Sequence, residues 1–382
     1  MKIIIVGAGF AGVKCAKKLA SLKGHEITIF NKTDYTAMLP SLPDVAGGRV
    51  KEKFLKEKIV RLLPENISFL GETVTNVDLD SKNVSSAKNI YPYDILVLAS
   101  GAEVNYYGFN QNLDKIYTLE NVEDALKINR EILKRAKNGS LKNVVISGAG
   151  FTGLEVGANI HEALKYYPNI AIRFIEKTNM VLSTQEPLFA SYVKKELESM
   201  GLLFYMEDYV KSFDGNKVVL ESGMEFDKSA LIWTSGLKRA VQITGKTKEL
   251  SNGRLIVNKD LRITGYDHVF AIGDCSAFLD HGNYLRMSVN YAQTMGTIAG
   301  VNIKRLIYDK PLKNYKPFDL GWILPVTYTS VGYVFKLRIK GKIGVIMHYI
   351  IMGFKNYNLT NLIAYFGYSL KFFFSRKFYR NK

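Results

Sequence analysis

The feature that most constrains this chain occurs twice: an apolar strand, a glycine-rich turn and a helix in immediate succession. Ile3-Ile4-Ile5-Val6 runs into Gly7-Ala8-Gly9-Phe10-Ala11-Gly12. A helical stretch follows through Ala20, and a second strand, Glu26-Ile27-Thr28-Ile29-Phe30, ends at Asn31. Further on, Asn143-Val144-Val145-Ile146-Ser147 runs into Gly148-Ala149-Gly150-Phe151-Thr152-Gly153. A helix through Leu164 and the strand Ala171-Ile172-Arg173-Phe174-Ile175 then lead to Glu176. Glycines at this spacing permit a tight turn and let backbone approach a pyrophosphate, which rests on the positive helix N-terminus. A lone G-x-G-x-x-G is weak and can be an ordinary turn, but strand, turn, helix and second strand together make a βαβ dinucleotide unit. The predicted fold class is therefore α/β, with two Rossmann-like dinucleotide-binding domains.

The residue that closes the second strand is usually an acid accepting hydrogen bonds from ribose hydroxyls. The first copy has Asn31 there, followed by Lys32. An amide oxygen still accepts, so adenosine binding survives with less charge assistance. The second copy has Glu176, whose carboxylate pairs with a 2′-hydroxyl and repels a 2′-phosphate, favouring NADH over NADPH. The adjacent Lys177 opposes that preference, since an ammonium can reach a phosphate. Two buried strands with small-residue turns, Tyr93–Gly101 and Ala230–Gly236, mark where chain leaves one nucleotide domain for the other. Another, His268–Ile272, ends in Gly273-Asp274-Cys275, and Met287 begins a helix running to about Ile307.

At 382 residues the chain suits two or three compact domains, and 47% hydrophobic with 23% charged residues is globular composition. Two cysteines, Cys15 and Cys275, exclude a disulfide framework and a cysteine zinc cluster and fit a reducing cytoplasm. The five histidines are dispersed, so no metal is expected. The N-terminal apolar run is too short for an export signal, and nowhere do 18 apolar residues run together as a transmembrane helix requires.

Net charge is +17, of which residues 313–382 hold +11: twelve basic residues opposed by Asp319 alone. Between those charges lie twelve uncharged residues, Ile343 to Phe354, with His348 read as a satisfied interfacial histidine. Beyond them Leu359, Leu362, Ile363, Phe366, Leu370, Phe373 and Phe374 recur at helical spacing, with Lys371, Ser375 and Arg376 off the stripe and Lys377, Arg380 and Lys382 extending the positive end. Such a helix suits the interface of an anionic membrane. The alternatives are packing on the chain's own core or on a second copy in a homodimer. Nucleic acid is not expected, because the apolar face would have no work to do on phosphate.

Taken together, these residues resemble the two-dinucleotide-binding-domain flavoproteins, and within them the type II NADH:quinone oxidoreductases, single-subunit NADH dehydrogenases that do not pump protons. The resemblance covers essentially the whole chain. It implies FAD on the first fold, held by Gly7, Gly9, Phe10, Ala11, Gly12, Asn31, Lys32, Pro40, Val74, Ser100, Gly101, Gly273, Asp274 and Ala292, with Asp274 on the flavin ribitol. It implies NADH on the second, at Gly148, Gly150, Phe151, Thr152, Gly153, Glu155, Glu176 and Gly236. Glu155 matches a family glutamate near nicotinamide and flavin and is the candidate catalytic residue; a buried helical Glu paired with a lysine is the plainer alternative.

Where the family reads Ala-Gln-x-Ala-x-Gln-x-Gly near the quinone, this chain has Asn290 and Thr294 in place of the glutamines, which weakens the quinone assignment. The implied domains are an FAD domain (1–108 and 241–312) split by an NADH domain (109–240), then a C-terminal membrane-surface region (313–382). The implied activity passes hydride from NADH to FAD and two electrons to a membrane quinone, at the cytoplasmic face of the cell membrane as a peripheral protein. The rivals are an NADH-dependent reductase of a small carrier protein and a low-turnover flavin and NADH redox sensor. A sulfide:quinone oxidoreductase is disfavoured, because Cys15 and Cys275 do not make a redox pair.

Overall fold

Four consecutive β-branched residues, Ile3 to Val6, are buried on both faces, as a central parallel strand requires. A computed structural model of the chain describes residues 1–374. Strand β1 (Lys2–Val6) leads to helix α1 (Phe10–Leu19), strand β2 (Glu26–Phe30), the short helix α2 (Leu42–Ala46), and strands β3 (Ile67–Leu70) and β4 (Ile95–Leu98). Helix α3 (Val122–Lys137), strand β5 (Asn143–Ser147), helix α4 (Phe151–Ala163), strand β6 (Ala171–Glu176), helix α5 (Pro187–Ser199), and strands β7 (Leu203–Met206) and β8 (Ser229–Trp233) follow. The chain then forms strand β9 (Val269–Ala271), helix α6 (Val289–Ile307), strands β10 (Gly321–Val326), β11 (Thr329–Val334) and β12 (Leu337–Lys340), and helices α7 (Lys342–Lys355) and α8 (Leu359–Phe374).

These elements fall into two units. The first comprises Met1–Thr36, Glu57–Glu103 and Leu237–Leu320. Its main sheet is parallel with order β9-β4-β1-β2-β3. Strand order reverses at β1, so the chain leaving β1 opens the crevice where doubly wound folds bind ligand. Helix α6 lies on α1 through glycines: a Cβ on Gly296 would sit 2.2 Å from the Ala11 carbonyl oxygen. The helix expected from Met287 starts instead at Val289, because the Ser288 hydroxyl accepts a hydrogen bond from the Tyr291 N–H and caps it.

The second unit comprises Ala37–Lys56, Val104–Gly236 and Gly321–Lys382. Its parallel sheet has order β7-β6-β5-β8, again with the reversal at the strand that feeds the glycine turn. The segment around Pro40 and the C-terminal elements belong to this unit. Strands β10, β11 and β12 form an antiparallel sheet, and α7 turns Val345, His348 and Tyr349 inward. The fold class read from the sequence, α/β with paired Rossmann-like domains, is the one observed.

Helix α8 carries its polarity inside out. Asn361, Tyr365 and Ser369, one turn apart, are buried, whereas Leu359, Ile363, Leu370 and Phe373 are each more than half exposed. Leu359, Ile363, Leu370 and Phe373 of the predicted apolar stripe therefore face outward, while Leu362 and Phe366 are half-buried. The positive end at Ser375, Arg376, Lys377, Arg380 and Lys382 lies outside the described residues. Among the described residues no helix is long and apolar enough to cross a membrane.

Candidate functional site

In the first unit the glycine turn has its shape because nothing larger fits. Gly7 has φ +105°, and a Cβ there would stand 2.3 Å from the Ala99 carbonyl oxygen; a Cβ on Gly12 would stand 1.9 Å from the Gly7 oxygen. Gly9, at the N-cap of α1, has open space around it, and no side chain caps the helix. A helix N-terminus with open space in front of its N-cap glycine suits an anionic group. Asn31 tethers the turn from the strand beside it: its Oδ1 accepts from the Ala8 N–H at 3.0 Å, while its Nδ2 donates to the Thr33 carbonyl and hydroxyl.

Gly273, with φ +72°, brings its α-carbon close to Ala11 and Ala292, so three of the predicted flavin residues meet at one spot. Asp274 follows in a short 3-10 turn, and burial pushes its carboxyl above the ordinary range while the nearby Arg254 opposes that shift. Ser100 and Gly101 follow β4, and Phe10 opens α1. Lys32 is exposed. Val74 is buried at the start of the strand Val74–Asp78, in a sheet separate from the main one, and Pro40 lies in the second unit.

The second unit repeats the arrangement. Gly148 has φ +103°, and a Cβ on Gly153 would stand 2.1 Å from the Gly148 oxygen. Glu176 Oε2 accepts from the Ala149 N–H at 2.8 Å, the counterpart of the Asn31 tether, and its Oε1 accepts from the Thr178 N–H and hydroxyl. Lys177 places its ammonium over the Tyr209 ring, 6.0 Å from the centroid. Thr152 lies in the first turn of α4, and Phe151 packs edge-on against Trp322 at 4.9 Å. Gly236, with φ +70°, is covered by the Tyr107 ring. Trp322 and Tyr107 carry no motif, and nothing in the sequence singled them out.

A buried polar group lies wholly within the second unit. Asp44 comes from α2, Glu155 and Asn159 from successive turns of α4, and His348 and Tyr349 from α7. The Tyr349 hydroxyl donates to Asp44 Oδ1 at 2.7 Å, and Asn159 Nδ2 donates to the same oxygen at 3.3 Å. Arg49 donates to Asn159 Oδ1 and to the Thr327 carbonyl. Burial, then the charge of Asp44, push the Glu155 carboxyl well above the usual range, with Arg49 opposing. Glu155 is buried, as the plainer alternative also expects, and among the described residues no lysine pairs with it. Nor is His348 interfacial: helical spacing turns it away from exposed Ile343 and Phe354 and into this group.

Asn290 and Thr294 belong to the first unit and bond within it. Asn290 Nδ2 donates to the Phe318 carbonyl at 2.6 Å, and the Thr294 hydroxyl pairs with the Tyr315 hydroxyl at 2.8 Å. Both cysteines are free and fully buried. Burial pushes the Cys15 thiol up to about 12 and raises Cys275 likewise, so neither offers a thiolate.

The sequence pattern of the pyridine nucleotide-disulphide oxidoreductases matches residues 1–296. A type II NADH:quinone oxidoreductase of Staphylococcus aureus is 26% identical, covering 92% of this chain and 94% of its own length. Among solved structures, NDH2 of Plasmodium falciparum superposes with a TM-score of 0.84 at 18% identity, covering 98% of both chains. The sulfide:quinone oxidoreductase of Aquifex aeolicus superposes with a TM-score of 0.74 at 17% identity, covering 97% of this chain and 93% of that one.

Proposed function

Because this chain belongs to the pyridine nucleotide-disulphide oxidoreductase family, we propose that it is an FAD-dependent NADH:quinone oxidoreductase working at a membrane surface. The observation that carries this reading is the pair of glycine cradles, one in each unit, each with its first and third glycines closed to a side chain and each tethered from the neighbouring strand. The S. aureus relative is named for the same activity, and a P. falciparum NDH2 was solved in complex with NADH.

The residues fit the two nucleotides. The α1 N-terminus, Gly7, Gly9 and Gly12 would take the FAD pyrophosphate, with Asn31 toward the adenosine ribose and Asp274 toward the ribitol. When bound, the flavin accepts hydride from NADH and delivers two electrons to a quinone, chemistry that no side chain supplies. Gly148, Gly150 and Gly153 would take the NADH pyrophosphate, and Glu176 the ribose hydroxyls. With the Lys177 ammonium drawn over Tyr209, the carboxylate dominates that corner and favours NADH over NADPH. Glu155 helps order the nicotinamide, and Asn290 and Thr294 lie toward the quinone.

The outward apolar face of α8 supports peripheral attachment to an anionic bilayer, and two free cysteines together with NADH as the substrate support the cytoplasmic face. An outward face of leucine, isoleucine and phenylalanine with Asn361 and Ser369 buried suits contact with an apolar surface, and the basic excess of residues 313–382 favours an anionic bilayer as that surface. The test is anaerobic reduction of the flavin-loaded protein by NADH, followed by reoxidation with a quinone. Stoichiometric bleaching and quinone-driven recovery are expected. Failure of NADH to bleach the flavin, or of quinone to restore it, overturns the assignment.

A further inference from the structure

The dispersal of histidines along the sequence argued against a metal, but the fold gathers what the sequence separates. One donor atom each from Asp44, Glu155 and His348 lie within 4.8 Å of one another. Ligands bound at about 2.1 Å to one ion stand roughly 3–4 Å apart, so a small contraction closes this set. The three come from three helices, α2, α4 and α7, and are 0%, 8% and 5% exposed. Asp44 Oδ2, Glu155 Oε1 and His348 Nε2 have no hydrogen-bond partner. A buried oxygen or nitrogen left so is costly, and three converging ones are not accounted for by packing.

The surroundings are those of a coordinating set. The His348 ring donates to the backbone of Ile323, which leaves the Nε2 lone pair toward the carboxylates. Tyr349 and Asn159 both donate to Asp44 Oδ1, fixing that carboxylate with its second oxygen free. Outer hydrogen bonds of this kind orient metal ligands. We propose that Asp44, Glu155 and His348 form a binding site for a divalent transition-metal ion. One imidazole and two carboxylates suit Mn²⁺, Fe²⁺ or Zn²⁺, whereas the nitrogen disfavours Mg²⁺ and Ca²⁺. Two carboxylates balance the dication, and the Arg49 guanidinium beside them keeps the site weak and exchangeable. Occupancy would immobilise Glu155 and slow NADH oxidation; that consequence alone rests on the role proposed above for Glu155, and binding itself does not.

The test is Mn²⁺ titration of the chelator-treated, flavin-loaded full-length protein, followed by electron paramagnetic resonance. The expected result is loss of the aquo-ion signal at one Mn²⁺ per chain, with ¹⁴N modulation of the bound spin. His348→Asn abolishes the modulation and weakens binding by at least about tenfold, and Asp44→Asn weakens it similarly. His281→Asn, on an exposed turn, leaves both readouts unchanged. If His348→Asn loses its flavin or its melting transition, His348→Gln and Glu155→Gln take its place. No binding at millimolar Mn²⁺ would mean a cluster bridged by protons and overturns the proposal, as does binding without ¹⁴N modulation or binding indifferent to His348. NADH bleaching of the flavin reads the proposed function separately, since it needs no added metal.

Discussion

Gly12 shows how completely one residue can decide a site. A methyl group there would sit 1.9 Å from the Gly7 oxygen, inside van der Waals contact with backbone that has nowhere to go. Gly12→Ala should therefore cost about 1–3 kcal/mol or more as overpacking and abolish flavin retention. Thermal melting and the flavin absorbance of the purified protein check both. Asp274 is the opposite case, a residue kept at a cost. Its folded pKa is raised by burial above the ordinary 3.8, so its contribution to stability is full below that value and is lost as pH rises through the folded pKa. Asp274→Asn should accordingly raise the melting temperature of flavin-free protein at pH 7, with the gain shrinking as pH falls toward 3.8. The same variant should bind FAD more weakly. A gain independent of pH would mean that desolvation of the carboxylate is not the cause.

At the scale of elements, the two strand–turn–helix units are legible because the contacts that define the motif fall within one βαβ unit: Gly7 with Gly12, Ala8 with Asn31, Ala149 with Glu176. The segments that close over Gly7 and Gly148, at Ala99 and Ser235, come from far along the chain. The cluster of Asp44, Glu155 and His348 is not legible, since its members are far apart in sequence and each looks ordinary in its own segment. The apolar neighbours of His348 point to an interface, and the packing of α7 on β10 and β11 decides which of those neighbours face inward. The stripe on α8 was visible as periodicity, but periodicity does not say whether an apolar face points in or out. The burial of Asn361, Tyr365 and Ser369 answers that. Replacing two residues of the outer face, Ile363→Lys with Leu370→Lys, should abolish co-flotation with anionic liposomes. Folding stability should stay within about 0.5 kcal/mol, as expected for exposed positions, and turnover with a water-soluble quinone should persist. A collapse of the melting temperature would show that the face packs on protein instead.

For the whole molecule, each unit carries its own cradle, so damage to one should leave the other working. Glu176→Ala removes a carboxylate that holds three donors. A charge-assisted hydrogen bond of about 1.5–3 kcal/mol lost from nucleotide binding corresponds to a roughly ten- to hundredfold higher KM for NADH, with flavin content unchanged; steady-state kinetics beside flavin absorbance separate the two. The tethers have a further consequence, for rates. In both cradles the alanine N–H between the first two glycines is already held by the strand-end side chain, at 3.0 Å by Asn31 and 2.8 Å by Glu176. A turn ordered beforehand does not lose conformational entropy when its nucleotide arrives. Association should then run at the pace of encounter instead of loop closure, and amide hydrogen exchange at Ala8 and Ala149 should be nearly as slow in the empty protein as in the loaded one.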